Sequence, residues 1–308
     1  MKCLMIMEPI SPIIALENTS FGIMLEAKKR GFTVSVCDIH DFSMEETQVY
    51  VKASTVEALR DQVSDYATLG EKTRTLVSGF DVVFMRAEPP VNEQYVHVTQ
   101  LLELSKVRVV NRASSLRDFN EKLCTLMFPE LCPETLVTAD NEALQAFVDK
   151  HHTIVCKPLD SFGGTAIFYV RESDVNRTVI FETLTREGKV MIVAQRFIPD
   201  ILTEGDKRII LICGEPIPFA LVRKPAARDF RGNLSRGGSS TIAPLTAHER
   251  TVSAQLAPFL REKGLFFVGI DMIGGLITEI NITATGCARD IAKDSGVDVC
   301  KLFLDAIE

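Results

Sequence analysis

Apolar positions follow two periods along the chain. KCLMIM (2–7), TVSVCD (33–38), DVVFMR (81–86) and VRVV (107–110) are short, nearly continuous apolar runs, the pattern of strands covered on both faces. Residues 19–30 and 92–105 follow a helical period, and Gly31 stops the first of these helices. Strands alternating with helices predict a parallel, Rossmann-like sheet, with only 40–78 left ambiguous. Past residue 113 the character changes. Ser115 and Asp118 predict a capping box ahead of a helix through Leu116, Phe119, Leu123 and Leu126, which sets Lys122 off its apolar face. Strands are expected at 135–138, 153–157, 165–170 and 190–195, with helices at 140–150 and 175–186. KRIILIC (207–213) and IPFALVR (217–223) predict a hairpin turning at Gly214-Glu215. Thr246 and Glu249 cap a helix that runs to Gly264 and bends at Pro258. FFVGIDM (266–272) and LITEINIT (276–283) predict a second hairpin about Gly274-Gly275, and a final helix closes the chain. The expected fold class is α/β and α+β in three domains: a Rossmann-like 1–113, a central 114–200 and a C-terminal 201–308.

Composition narrows the classes. With 308 residues, 46% of them hydrophobic, more than one compact unit is expected. A net charge of −7 argues against nucleic acid or an anionic membrane surface as partner, so any polyanion must be met by local cations. Glu8, Pro9 and Pro12 interrupt the first apolar run, which reads as a buried strand and not a signal peptide. No stretch of 18 apolar residues predicts a membrane span. Eight scattered cysteines without a Cys-x-x-Cys pair fit free thiols in a reducing cytoplasm.

The chemistry concentrates at Asp271 and Glu279-Ile280-Asn281. Glu279 and Asn281, two apart on a strand, share a face. A two-residue turn pairs Asp271 with Thr278; a three-residue loop centred on Gly275 pairs it with Glu279. Opposed carboxylates repel, and a divalent cation between such hard oxygen ligands removes that cost. A solvated acidic face is the bland alternative, but the flanking Ile270, Met272, Ile280 and Ile282 demand burial. A second signal is Lys157 at a strand end before Gly163-Gly164, a loop able to bring amides to phosphate oxygens. It is not a Walker A loop, and a simple turn with a snorkelling lysine fits equally well. Lys122 alone reads as an i, i+4 surface pair with Asp118. Among the arginines 208, 223, 228, 231, 236 and 289, Arg208 stands out because it lies inside a hairpin after Asp206. The segment 224–240, rich in Gly, Ser and Arg without an apolar period, reads as a long loop of the kind that forms lids.

A helix lysine, a strand lysine before a glycine turn, an apolar strand into a hinge, a basic loop and Asp…Glu-x-Asn occur here in the order seen in the ATP-grasp superfamily. Within it, the chain most resembles the bacterial glutathione synthetase family. The stretches that carry this are Met85-Arg86 through Glu88-Pro89-Pro90, SLRDFNEKL (115–123), ETLVT (134–138), KPLD with Gly163-Gly164, GDKR (205–208), RGNL with Gly237-Gly238, EKGLFFVGIDMIG (262–274) and TEIN (278–281). The resemblance implies an ATP-grasp fold behind the Rossmann-like domain. It implies ATP-dependent joining of γ-glutamylcysteine to glycine through an acyl phosphate, with another acid–amine pair as the alternative. It implies that Lys122, Lys157, Gly163 and Gly164 hold phosphates, that Gln195, Phe197 and Ile198 form the adenine hinge, and that Asp206 lies near the nucleotide. Asp271, Glu279 and Asn281 are then the ligands of Mg²⁺ or Mn²⁺, Arg208, Arg231 and Arg289 the substrate and acyl-phosphate arginines, and 224–239 the lid. A homo-oligomer, by resemblance a tetramer, is implied too. The chain departs from the family at Leu16-Glu17-Asn18, at Ala87-Glu88, at Ser161 and at Ala284-Thr285-Gly286.

Overall fold

The computed structural model describes the chain except residues 11–14, 63, 227–228 and 233–236. Its described residues form three sheets. In the first, strand Lys2–Ile6 pairs in parallel with Thr33–Cys37 and with Val82–Met85, and Val109–Val110 adds in parallel beyond the latter. Helices Thr19–Lys29 and Glu93–Ser105 link these strands, each capped by an asparagine side chain, Asn18 and Asn92, accepting from an N–H of the first turn. The ambiguous stretch turns out to be antiparallel. Phe42–Glu45, Gln48–Leu59 and Ala67–Leu76 extend the same sheet as a meander joined to Thr33–Cys37.

The second sheet is antiparallel, ordered Phe168–Arg171, Thr153–Pro158, Ile192–Arg196, Thr135–Thr138. The third is also antiparallel, ordered Ser239–Pro244, Glu215–Lys224, Asp206–Ile212, Phe267–Ile273, Leu276–Asn281. Ser239–Pro244, read from sequence as loop at its start, pairs with Glu215–Lys224. Helix Ala247–Glu262 carries the expected capping box of Thr246 and Glu249, and two helices, Ala288–Ser295 and Val299–Ile307, end the chain where one was expected. Among the described residues no helix is long and apolar enough to cross a membrane.

The cores divide unequally. Leu4, Ile6, Leu102, Leu260, Val268 and Ile280 belong to one continuous cluster, so the first and third sheets share their interior. Asn111 staples them: its Oδ1 accepts from the N–H groups of Phe266 and Phe267, and its Nδ2 donates to the carbonyls of Phe267 and Ile282. The second sheet buries its own cluster of Leu144, Val148, Ile154, Cys156, Phe181 and Ile192. A cleft therefore lies where a separately packed sheet faces a larger body.

The predicted helix through Lys122 breaks early. Ala113–Asp118 is helical, Phe119 is extended, and a 3₁₀ turn resumes at Leu123–Met127. Ser115 does not cap; its hydroxyl donates to the Lys263 carbonyl. Packing outweighs periodicity here, since Phe119 and Phe128 both set edges against the Phe259 ring, at 5.3 and 5.6 Å.

Candidate active site

The cleft offers about 1060 Å³ of space, part of it open to solvent. Lys122, Lys157, Gly163, Gly164, Gln195, Phe197, Ile198, Asp206, Arg208, Arg231, Asp271, Glu279 and Asn281 all line it. One wall is the second sheet. Lys157, at the end of its strand, is half-buried and donates to Gln195 Oε1 at 2.8 Å. Burial lowers the Lys157 pKa, and nearby Lys122 lowers it further against the pull of Glu279. A lysine in this state gains most when an anion arrives.

Lys122 does not sit on a helix beside Asp118. The break at Phe119 frees it to cross the cleft, where its Nζ donates to the Ser161 carbonyl at 2.5 Å and pairs with Glu279 at 3.2 Å. Asn120 shapes the turn, its Oδ1 accepting from the N–H of Lys122 and of Leu123 while its Nδ2 donates to the Leu159 carbonyl. Gly163 and Gly164 have φ of +60° and +73°, the left-handed conformation that glycine tolerates, so the loop can turn its amides together. Above it, Arg231 donates to the Gly164 carbonyl at 2.9 Å and is gripped by Asp229, whose carboxyl this pairing holds at about 2. Parts of the expected lid, 227–228 and 233–236 with Arg228 and Arg236, lie outside the described residues.

The opposite wall is charged. Arg208 and Asp271 are cross-strand partners, joined by two hydrogen bonds of 2.5 and 2.9 Å. Arg223 reaches the same carboxylate at 2.9 Å and also bonds Asp206. Burial would raise the Asp271 pKa, but Arg208 and Arg223 outweigh it and hold the carboxyl well below the usual range. Asp206 goes the other way: burial lifts it to about 6 although Arg223 opposes. Its Oδ1 is buried with no hydrogen-bond partner among the described residues. Arg223, read from sequence only as one arginine among several, is thus central; its signal was a charge ending the buried run IPFALVR. Glu121, also in the wall, was missed altogether, and only its adjacency to Lys122 marks it.

The hairpin that carries Asp271 and Glu279 resolves its two alternatives unexpectedly. The turn is the two-residue one, with Ile273 opposite Leu276 and Met272 opposite Ile277. A register shift at Thr278 then places Asp271 opposite Glu279. An extra residue in one strand, a β-bulge, achieves the pairing that a longer loop was expected to need. Asn281 donates through Nδ2 to the Gly269 carbonyl at 3.2 Å and to Asp271 at 3.3 Å. Its amide oxygen accepts no hydrogen bond among the described residues. That oxygen, the Glu279 carboxylate and the orphaned Asp206 oxygen are hard donors of the kind Mg²⁺ takes, while both Asp271 oxygens are held by Arg208 and Arg223 and no three carboxylates are spaced as a metal cluster among the described residues.

Arg289 is the exception. It lies away from the cleft, donating to the Leu16 carbonyl and pairing with Asp61, with its guanidinium over Phe21. Its partner came from the stretch whose pattern was ambiguous. Four of the positions noted in the sequence as departures from the family pattern gather elsewhere, while Ser161 lines the cleft. Glu17, Glu88, Ala284 and Gly286 line a second cavity with Glu8 and buried Arg86.

Comparison with known proteins agrees with this architecture. The family profile for the prokaryotic glutathione synthetase N-terminal domain matches residues 1–117, and that for its ATP-grasp domain matches 121–296. The glutathione synthetase of Vibrio cholerae is 42% identical over 306 residues, covering 98% of this chain and 96% of that protein. That of Xylella fastidiosa is 39% identical, covering 98% and 97%. Among solved structures, the D-cycloserine synthetase DcsG superposes with a TM-score of 0.70 at 14% identity over 100% and 98% of the two chains. The ATP-grasp ligase PsnB, in complex with its minimal precursor, Mg and ADP, gives 0.60 at 16% identity over 99% and 96%. These two likenesses show a shared fold.

Proposed function

We infer how the cleft works from one premise: the chain belongs to the prokaryotic glutathione synthetase family and is an ATP-dependent carbon–nitrogen ligase. Its reaction joins γ-L-glutamyl-L-cysteine to glycine, giving glutathione, ADP and phosphate. The roles below are our reading of individual residues.

A carboxylate attacking the ATP γ-phosphate brings anion to anion, so the site must neutralise charge before anything else. Lys122 and Lys157, which line the cleft with the Gly163-Gly164 loop, take the phosphates. Phe197 and Ile198, with Val155 and Ile273 nearby, form an apolar slot for the adenine beside Gln195. Asp271, Glu279 and the Asn281 amide oxygen, with Asp206 adjacent, would hold Mg²⁺. When bound, the ion supplies electrostatic neutralisation of the phosphate oxygens.

Phosphoryl transfer to the dipeptide's glycyl-accepting carboxylate gives an acyl phosphate, and the glycine amine then attacks its carbonyl. Arg208, which lines the cleft, stabilises the negative charge that develops, and Arg223 backs it through their shared partner Asp271. Arg231, bridging loop to loop, helps exclude water from an intermediate that hydrolyses readily. The observation that carries this reading is the meeting of both lysines, Arg208 and the three oxygen-bearing side chains around one cleft. The test is ADP release with single substrates omitted: it should require both γ-glutamylcysteine and glycine, and fail in Asn281→Ala. ADP release that ignores either substrate would refute it.

A further inference from the structure

Glu121 makes four backbone or side-chain contacts to one segment, the exit of the ligand strand. Its main-chain carbonyl accepts from Ile280 N–H at 2.9 Å. Its Oε1 accepts from Ile282 N–H at 2.8 Å, Thr283 N–H at 3.0 Å and the Thr283 hydroxyl at 2.9 Å. These bonds bracket Asn281 on both sides. The next residue along is Lys122, whose ammonium reaches Ser161 and Glu279. The residue also stands in the wall shared by the nucleotide cleft and a third cavity, lined by Pro89, Arg117 and Asp160. A helical Lys122 would have carried Glu121 away from this strand; the break at Phe119 brings both to it.

We propose that Glu121 is a positioning residue that locks the metal-ligating strand end and the phosphate-binding Lys122 into one rigid unit. The inference rests on the functional reading above. Three donors converging on one carboxylate oxygen make charge-assisted bonds, stronger than neutral ones. They hold a turn that has no ladder partner of its own beyond Asn281, because the strand pairing ends there. Asn281 must hold its amide oxygen within about 0.5 Å of the position a cation ligand needs, and Lys122 must present its ammonium to the same phosphates. One residue that fixes both serves pre-organisation by acting through Asn281 and Lys122.

The experiment is calorimetric titration of the full chain with ADP, with and without Mg²⁺, well below each variant's melting temperature. Wild type should bind MgADP; its failure to do so would sink the functional reading itself. Glu121→Ala should weaken MgADP binding tenfold or more and metal-free ADP at most threefold. Glu121→Gln, which keeps the accepting oxygen, should stay within threefold of wild type for both. If the alanine variant does not fold, Glu121→Asp, which withdraws the acceptor by one methylene, should weaken MgADP at least fivefold. MgADP affinity within twofold of wild type in the folded alanine or aspartate variant would overturn the proposal. So would equal losses with and without Mg²⁺, or a glutamine variant as weak as alanine.

Discussion

Asp271 stands directly across the hairpin from Glu279, with both carboxylates in one cleft and each held by different cations: Arg208 and Arg223 on Asp271, Lys122 on Glu279. Function and stability therefore diverge at this pair. Glu279→Gln removes one of two opposed charges, so thermal denaturation should show a melting temperature within about 3 °C of wild type, while ADP formation should fall at least about 100-fold, the scale of losing a group that positions phosphoryl transfer. A variant that keeps more than a tenth of wild-type turnover would show that Glu279 is not a ligand in the reaction.

Asp271→Asn should behave differently. It leaves Arg208 and Arg223 buried without their shared countercharge. Breaking a buried pair from one side costs about 3–5 kcal/mol. Urea unfolding should show a loss of that order together with loss of activity. An unchanged midpoint would mean the two guanidiniums find other partners.

Asp206 predicts a pH effect of a specific sign. Its carboxyl titrates near 6 in the fold against an ordinary 3.8, so the native state binds the proton more tightly. The wild type should gain stability relative to Asp206→Asn as pH falls from about 6 to about 4, on the order of 1–3 kcal/mol, and lose that gain as pH rises through 6. Asp271, held below the usual range, contributes stability that disappears only below pH 4, so the two windows separate. Urea midpoints for both proteins at pH 7, 6 and 5 check this; parallel curves would rule out the shift.

Gly269 supports the arginine. A Cβ there would lie 2.8 Å from the Thr285 methyl and 2.9 Å from Arg208 Cδ. Gly269→Ala should displace the Arg208 guanidinium from Asp271 and reduce kcat at least about tenfold, as misplacement by about 1 Å does. Unaltered kcat would show that the arginine adapts without cost.

Much of this cleft was legible in the chain because its residues lie on strands, where a period of two fixes which side chains share a face. Glu279 and Asn281 follow from that alone, as does Lys157 at a strand end. The bulge at Thr278 was not legible, since a bulge differs from a longer loop only in where the extra residue sits. Lys122 was set on the wrong element because Phe119 and Phe128 pack on Phe259, 131 positions or more along the chain, and no local pattern announces such a contact. The antiparallel meander of 42–76 escaped because its outer strand Ala67–Leu76 is mostly exposed and carries Glu71, Lys72 and Arg74 in place of an apolar face. Misplacing Arg289 followed from that gap, as its partner Asp61 belongs to the same stretch.

The central claim is that this one cleft couples ATP cleavage to formation of a single amide. The direct measurement is simultaneous quantification, by chromatography and mass spectrometry, of ADP and glutathione from γ-glutamylcysteine, glycine, ATP and Mg²⁺. One glutathione should appear per ADP, with neither formed when Glu279→Gln replaces the wild type. ADP without glutathione, or glutathione from the substituted protein at the wild-type rate, would contradict it.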